Sequence, residues 1–109
     1  MSPAADEAIP DAAILIADNQ AANRYELRVN GQLAALTDYR LEPSAEAPER
    51  IVFVHTETHD GFTGHGLASR LARAELDAAR RRGLRVMPRC PFVARYISEH
   101  PEYEDLVSG

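Results

Sequence analysis

Residues 55–69 read HTETHDGFTGHGLAS and hold two competing chemistries, a metal site and an anion cradle. His55, Glu57 and His59 alternate, so on a strand all three point to one side. Two imidazoles and a carboxylate are a workable zinc donor set. Alternate strand positions lie about 6.5–7 Å apart, however, so residues 55 and 59 share one ion only if the strand bends sharply. The pairing of HTE with the later PRC also falls short of a deaminase-type zinc site. That site needs a second cysteine three residues after Cys90, and position 93 is Val. No metal is expected.

The second half of the stretch, TGHGLASRL, places Gly64 and Gly66 between a strand and a helix. Backbone N–H groups of residues 63–68 can then approach an anion closely, and the helix dipole favours negative charge there. A tight strand-to-helix connection uses the same glycines, so a bare GxG leaves both readings open. A triphosphate loop of the GxxxxGK[ST] kind is absent. A dinucleotide fold would need further β-α units and an acidic ribose ligand about 20 residues on. Elsewhere, Cys90 precedes Pro91 and so takes the N-cap of a helix. The amides of Phe92 and Val93 would point back at its sulfur, and with Arg89 adjacent they favour the thiolate. A small buried residue at a tight turn fits the same pattern.

These residues must be positioned by the elements around them. AAILIAD (12–18) forms a first short strand. Tyr25, Leu27 and Val29 alternate with polar residues, Asn30-Gly31 makes a tight turn, and a second strand runs from about 32 to 41. Residues 42–49 are a polar loop with two prolines. RIVFVHTETH (50–59) is a nearly continuous β-branched run, as expected of a central strand covered on both faces. From Leu67, apolar residues at 67, 71, 74 and 78 and at 68, 72, 76 and 79 form one wide helical stripe over 67–82. Asp77 pairs with Arg81 on its outer face, Arg80–Arg82 form a solvated end, and Gly83 stops it. LRVMP (84–88) is a second buried strand, and Pro91 opens a last helix running to about His100. The order β, β-hairpin, β-α-β-α implies an α/β (α+β) fold, a mixed sheet with flanking helices. Residues 1–12, rich in Ala, Pro, Asp and Glu, read as a flexible N-terminus, and 13–109 as a single domain.

Bulk properties narrow the function classes. At 109 residues the chain has room for one modest core, and 45% hydrophobic with 27% charged residues is ordinary globular composition. Twelve basic against 17 acidic residues give −5, which disfavours a nucleic-acid binder and tolerates a cationic amine substrate. One cysteine cannot form an internal disulfide, so a cytoplasmic location is expected. No secretory signal and no run of roughly 18 apolar residues is visible, so no membrane partner is expected.

The combination of HTE, GxGLAS.L and RGLRV.P.CPFV..YI..HPEY.DLV resembles the small, stripped-down branch of the GNAT acetyltransferase superfamily over about residues 50–107. RYEL and the following Asn-Gly hairpin extend the resemblance toward the amino end. The resemblance implies a GNAT, acyl-CoA N-acyltransferase-like fold and an acetyl-CoA-dependent N-acetyltransferase acting on an amine of a small molecule or protein. It implies that strand 51–58 splays from its parallel neighbour 84–89, that pantetheine lies in the gap, and that pyrophosphate sits on loop 63–68. The cofactor-binding residues so implied are Thr56, Thr58, Thr63, Gly64, His65, Gly66, Leu67, Ala68, Arg70 and Cys90. The family's Q/R-x-x-G-x-G/A pattern has Gly61 at its first position here, which removes one side chain from the pyrophosphate site. The usual pair of early helices has no room, so the acceptor site should be open.

Within that frame the catalytic residues are Cys90, Glu57 and His55. Cys90 falls near the acetyl group and can form an acetyl-cysteine intermediate. Glu57 falls where several members of the superfamily carry a glutamate base. On a face shared with Ile51, Phe53 and His55, partial burial would raise its pKa toward that role. A structural carboxylate is the alternative. His55 assists as base or relay, or is a core histidine. Tyr96 lies one residue from the position of the superfamily's tyrosine acid and reads as core packing. Two rival functions stay open: a non-catalytic acyl-CoA-binding or interaction module on the same fold, and a small zinc-binding protein. A monomer or weak homodimer is expected, since an exposed strand edge permits pairing.

Overall fold

The computed structural model of the chain describes residues 9–43, 45 and 49–107. Most of the expected flexible N-terminus (1–8) and part of the 42–49 loop lie outside the described residues. Ile9 packs against the core, and Asp11–Ala13 form a single 3₁₀ turn leading into β1 (Ile14–Asn19). The Asn19 side chain accepts a bond from the Ala22 amide and starts a second 3₁₀ turn, Gln20–Ala22. Asn23, at φ 55°, ends that turn and admits β2 (Arg24–Val29). β2 and β3 (Gln32–Glu42) join through Asn30 (φ 50°) and Gly31 (φ 84°). Both central turn residues are left-handed, the geometry whose twist matches paired strands.

β4 (Arg50–Thr58), α1 (Leu67–Arg81), β5 (Arg85–Pro88) and α2 (Pro91–Glu99) complete the chain, followed by a 3₁₀ segment, Pro101–Leu106. The five strands lie in the order β1-β2-β3-β4-β5, antiparallel except for the parallel β4–β5 pair. The expected mixed sheet with flanking helices is therefore what forms. Both helices join one core cluster with the sheet face carrying Leu27, Tyr39, Ile51 and Phe53. The opposite face carries arginine and glutamate pairs, Arg24–Glu26–Arg28 on β2 and Arg40–Glu42–Arg50 across β3 and β4. β4 is thus buried at Ile51, Val52 and Phe53 but exposed at Val54, His55 and Glu57, not covered on both faces along its length.

A bulge in β4 decides which side chains face the core. Tyr39 pairs with Phe53 but Asp38 pairs with His55, so Val54 is an extra residue opposite β3. Beyond it the alternation is inverted. Thr56, opposite Thr37, joins the helix-covered face with Phe53, while His55 and Glu57 turn to the other face. The expectation that Glu57 shares a face with Ile51 and Phe53 fails for this reason.

The C-terminal segment is tied back by Arg80, expected to lie in a solvated helix end, and by Arg85 of β5. Arg80 donates to both Asp105 carboxylate oxygens at 2.9 Å, and Arg85 donates to the Val107 carbonyl at 2.7 Å. Asp77 accepts the Tyr103 hydroxyl at 2.7 Å rather than pairing with Arg81. Phe53 sits where sheet, α1 and α2 converge and is fully buried. Phe53→Ala should cost about 3–5 kcal/mol of unfolding free energy in urea titrations followed by circular dichroism. A loss under about 1 kcal/mol would contradict this placement of the core.

Candidate functional site

The β4–β5 ladder is short because β5 ends in proline. Pairing stops at Phe53↔Pro88, and proline has no N–H to continue it. Two residues later the Cys90 amide donates to the Phe53 carbonyl at 2.8 Å. Pro91 then starts α2 and carries the chain away. β4 continues to Thr58 against β3, so its edge from Val54 to Thr58 faces no partner in β5. The result is a wedge-shaped cleft with Cys90 at its apex.

The glycine loop closes the wide end of that cleft. Gly61, Gly64 and Gly66 have φ of 90°, 84° and 70°. A Cβ built on Gly64 or Gly66 meets nothing within 4 Å, so both open onto free space. Gly66 is the N-cap of α1 and supplies no side-chain cap, and no acidic residue lies in the first turn. The first amides of a 15-residue helix are therefore left for an anion. A cavity of about 260 Å³ lies there, lined by Thr58, Phe62, Thr63, Gly64, Gly66, Leu67, Ala68, Ser69 and Phe92. Its glycine walls and free amides fit a pyrophosphate, and its two phenylalanines fit an apolar arm.

Six of the residues named from sequence line this cavity: Thr58, Thr63, Gly64, Gly66, Leu67 and Ala68. Phe62, Ser69 and Phe92 were missed, although aromatic residues flanking the glycines and opening α2 are a readable signal. His65 is half-buried in the loop without lining the cavity. The Arg70 guanidinium is paired with Asp11 and lines a different hollow, of about 340 Å³, between β1 and α1. That larger hollow holds no glycine loop and no helix start, so its size does not make it the better site.

Cys90 occupies the N-cap of α2 as expected, but its sulfur makes no capping bond. Instead Sγ lies 3.3 Å from Thr56 Oγ1, and Thr56 Oγ1 lies 3.0 Å from Thr37 Oγ1. The thiol is 2% exposed. Behind the threonines stands Glu75 of α1, fully buried, with neither carboxyl oxygen in a hydrogen bond. Burial pushes its pKa well above the carboxylate range and charge on Cys90 adds to this, while the Thr37 hydroxyl opposes it. Sequence reading passed over Glu75, although it falls four residues from both Leu71 and Ala79 inside the apolar stripe.

On the open face, Glu57 bridges two imidazoles: His55 Nε2 at 3.0 Å from one oxygen and His59 Nε2 at 3.3 Å from the other. The Glu57 side chain is 45% exposed, and its pKa is lowered, first by the His55 hydrogen bond. This is the reverse of the expected upward shift, because the bulge removes Glu57 from the core face. Among the described residues no group of three or more His, Cys, Asp or Glu is arranged to hold a metal ion. Tyr96 is buried and stacks on His100 with centroids 3.9 Å apart. None of the described helices is long and apolar enough to cross a membrane.

A sequence model of the family described as GCN5-related N-acetyl-transferase matches residues 24–106. Protein NATD1 of Xenopus tropicalis is 25% identical over 99 residues, 88% of this chain and 85% of that protein. Among solved structures, a GCN5-like protein from Staphylococcus aureus is similar with TM-score 0.65 and 21% identity, covering 90% of this chain and 91% of that one. The ribosomal-protein-alanine N-acetyltransferase of Brucella melitensis biovar Abortus 2308 gives 0.56 at 20% identity, covering 79% of this chain and 61% of that one. Arabidopsis thaliana Naa50 in complex with the bisubstrate analogue CoA-Ac-MVNAL gives 0.51 at 19%, covering 67% of this chain and 46% of that one. At these identities the solved structures bear on the fold alone.

The buried acid carries a pH signature. Glu75 has its folded-state pKa raised, so the folded protein holds this proton more tightly than the unfolded chain. Stability is then lost as pH rises from the ordinary glutamate value of about 4.3 through the raised one. Glu75→Gln removes that loss. The difference between variant and wild type in urea-unfolding free energy should therefore grow in the variant's favour as pH increases. A difference independent of pH would contradict the assignment.

Proposed function

The chain belongs to the GCN5-related N-acetyltransferase family, and from that premise we propose that it binds acetyl-CoA in the β4–β5 cleft and passes the acetyl group to an amine. The observation that carries the reading is the uncapped α1 N-terminus behind Gly64 and Gly66, opening on a cleft with Cys90 at its apex. Acetyl-CoA supplies an activated thioester carbonyl. The amides of 64–69 hold its pyrophosphate, flanked by Thr63, His65 and Ala68. The free edge of β4, including the Thr56 and Thr58 backbone, offers donors and acceptors to the pantetheine amides. Phe62, Leu67 and Phe92 shield that arm from water. Arg70 reaches the phosphate end only by leaving Asp11.

Two groups of residues then divide the chemistry. Cys90 takes up the acetyl group as a thioester and yields it to the amine. Since the thiol is 2% exposed, the incoming thioester has to part the apex of the cleft to reach it. His55 accepts the amine proton, and Glu57, held ionised, orients the ring and balances its charge. A carboxylate with lowered pKa is a weak base near neutrality but a good partner for an imidazolium. The acceptor approaches the sheet face that no described helix covers. One observation favours a second reading, a non-catalytic acyl-CoA-binding module: the burial of Cys90.

Calorimetry with acetyl-CoA tests the binding half, and absence of binding at millimolar ligand would end it. Gly66→Val places a branched side chain at φ 70° inside the cavity, and should weaken binding by at least ~10-fold, about 1.4 kcal/mol. For transfer, Cys90→Ala should keep acetyl-CoA binding and lose turnover on an amine panel. Full turnover in that variant would remove the acetyl-cysteine route. Binding without transfer by the wild type would favour the module.

A further inference from the structure

β1 is an outer strand of the sheet, and its free edge lacks the features that usually keep such edges single. It pairs with β2 along its whole length without a bulge, from Ile14↔Val29 to Asn19↔Arg24. Residues 12–17, AAILIA, hold no charge and no proline. Asp18 does not guard the edge either, because its carboxylate accepts the Tyr39 hydroxyl at 2.6 Å and pairs with Arg82. Leu15 alternates with Ile14 and Ile16, which line the hollow beside α1, so it points to the open face, where it is 66% exposed. The other outer strand, β5, has four residues, and Val86 on it is bridged by Val107.

The direction of the edge groups follows from one bond. The Asn30 amide donates to the Ala13 carbonyl at 2.8 Å, and this pair continues the β1–β2 register. Odd-numbered residues of β1 therefore turn their backbone groups toward β2, and even-numbered ones turn theirs outward. The Ile14 amide agrees, since it donates to the Asp11 carbonyl instead of to β2. That leaves the Ile14 carbonyl and both backbone groups of Ile16 and of Asp18 on the free side.

We propose that a second copy of this chain pairs with this edge, β1 against β1 antiparallel about a two-fold axis at Ile16. The two five-stranded sheets then join into one. In that register the two Ile16 residues exchange both backbone bonds, and each Asp18 amide donates to the partner's Ile14 carbonyl. The Ile14 amide, already held by Asp11, is not called on, and the Asp18 carbonyl stays open to water at the end of the ladder. Leu15 lies against the partner's Ala17 on the open face, and Ile16 against the partner's Ile16 on the helix face. Moving the axis to Ala17 keeps as many bonds but sets Leu15 against Asn19 and Ile16 against Asp18. Moving it to Leu15 requires the Ile14 amide. Such a pairing uses up the edge in both copies, so assembly stops at the dimer. Both β4–β5 clefts lie toward the far ends of the joined sheet, clear of the contact.

Sedimentation equilibrium over a concentration series tests the pairing. The wild type should reach a dimer and go no further. Leu15→Lys, which puts charge at a solvated position, should weaken the dimer at least ~10-fold with an unchanged circular-dichroism spectrum. A monomer at millimolar concentration, a dimer indifferent to Leu15→Lys, or larger species overturns the proposal. Disulfide trapping tests the register. The Leu15→Cys position faces the partner's Ala17→Cys position at about 4.5 Å between Cα atoms, within disulfide reach. Two copies of either variant alone set their cysteines on a diagonal about 7–8 Å apart. Mild oxidation of the mixture should therefore link positions 15 and 17, identified by peptide mass, well ahead of either variant alone. Native Cys90 is 2% exposed and falls in a separate peptide. Equal cross-linking with and without mixing overturns the register, and the proposal with it.

Discussion

The hydrogen bond from the Cys90 amide to the Phe53 carbonyl, 2.8 Å long, is the constraint on which the rest of the site depends. Among the described residues it is the last backbone tie between β4 and the chain leaving β5, placed after a proline that ends the ladder and before a proline that starts a helix. Without it the two strands would separate earlier and Cys90 would not stand at the apex. With it, β4 runs on from Val54 to Thr58 paired with β3 alone, and its other edge is left without a neighbouring strand. Free edges of this kind are usually a liability. Here the glycine loop and the first turn of α1 stand over the wide end, so the edge faces a shaped cavity.

The single extra residue at Val54 divides the chemistry between two faces. On the helix side it delivers Thr56 to Cys90 and Thr37. On the open side it exposes Glu57 between two imidazoles and keeps that carboxylate ionised. The same residue type therefore has opposite pKa shifts on the two sides of the sheet. Glu75 is raised by loss of water, and Glu57 is lowered first by its hydrogen bond with His55. Bulges beside functional groups commonly re-aim side chains in this way.

Most of the architecture was legible in the sequence, because its signals are local. The Asn30-Gly31 turn, the helix stripe from Leu67, Gly83 after it and Pro91 at the head of α2 each act within a few residues. The loop half of the site was legible for the same reason, since Gly64 and Gly66 announce their backbone conformation. What could not be read was parity. A period of two predicts one face for Phe53, His55 and Glu57, and nothing local in VFVHTET marks Val54 as the extra residue. That one register shift reversed the expected environment of Glu57 and hid the link between Thr56 and Cys90. Glu75 was hidden differently: a lone glutamate in an alanine-rich helix reads as solvated until the neighbouring sheet is placed over it. Arg80 and Arg85 likewise became staples only once the C-terminal segment folded back on them.

The central claim is that one ligand lies along the free edge of β4 with its phosphates on the start of α1. Amide chemical-shift mapping with a non-hydrolysable acetyl-CoA analogue tests it most directly. The largest changes are expected at the amides of residues 54–58 and 64–69 and at Cys90, with the β1–α1 hollow around Ile14 and Ala74 unmoved. Changes concentrated in that hollow, or none along β4, would contradict it.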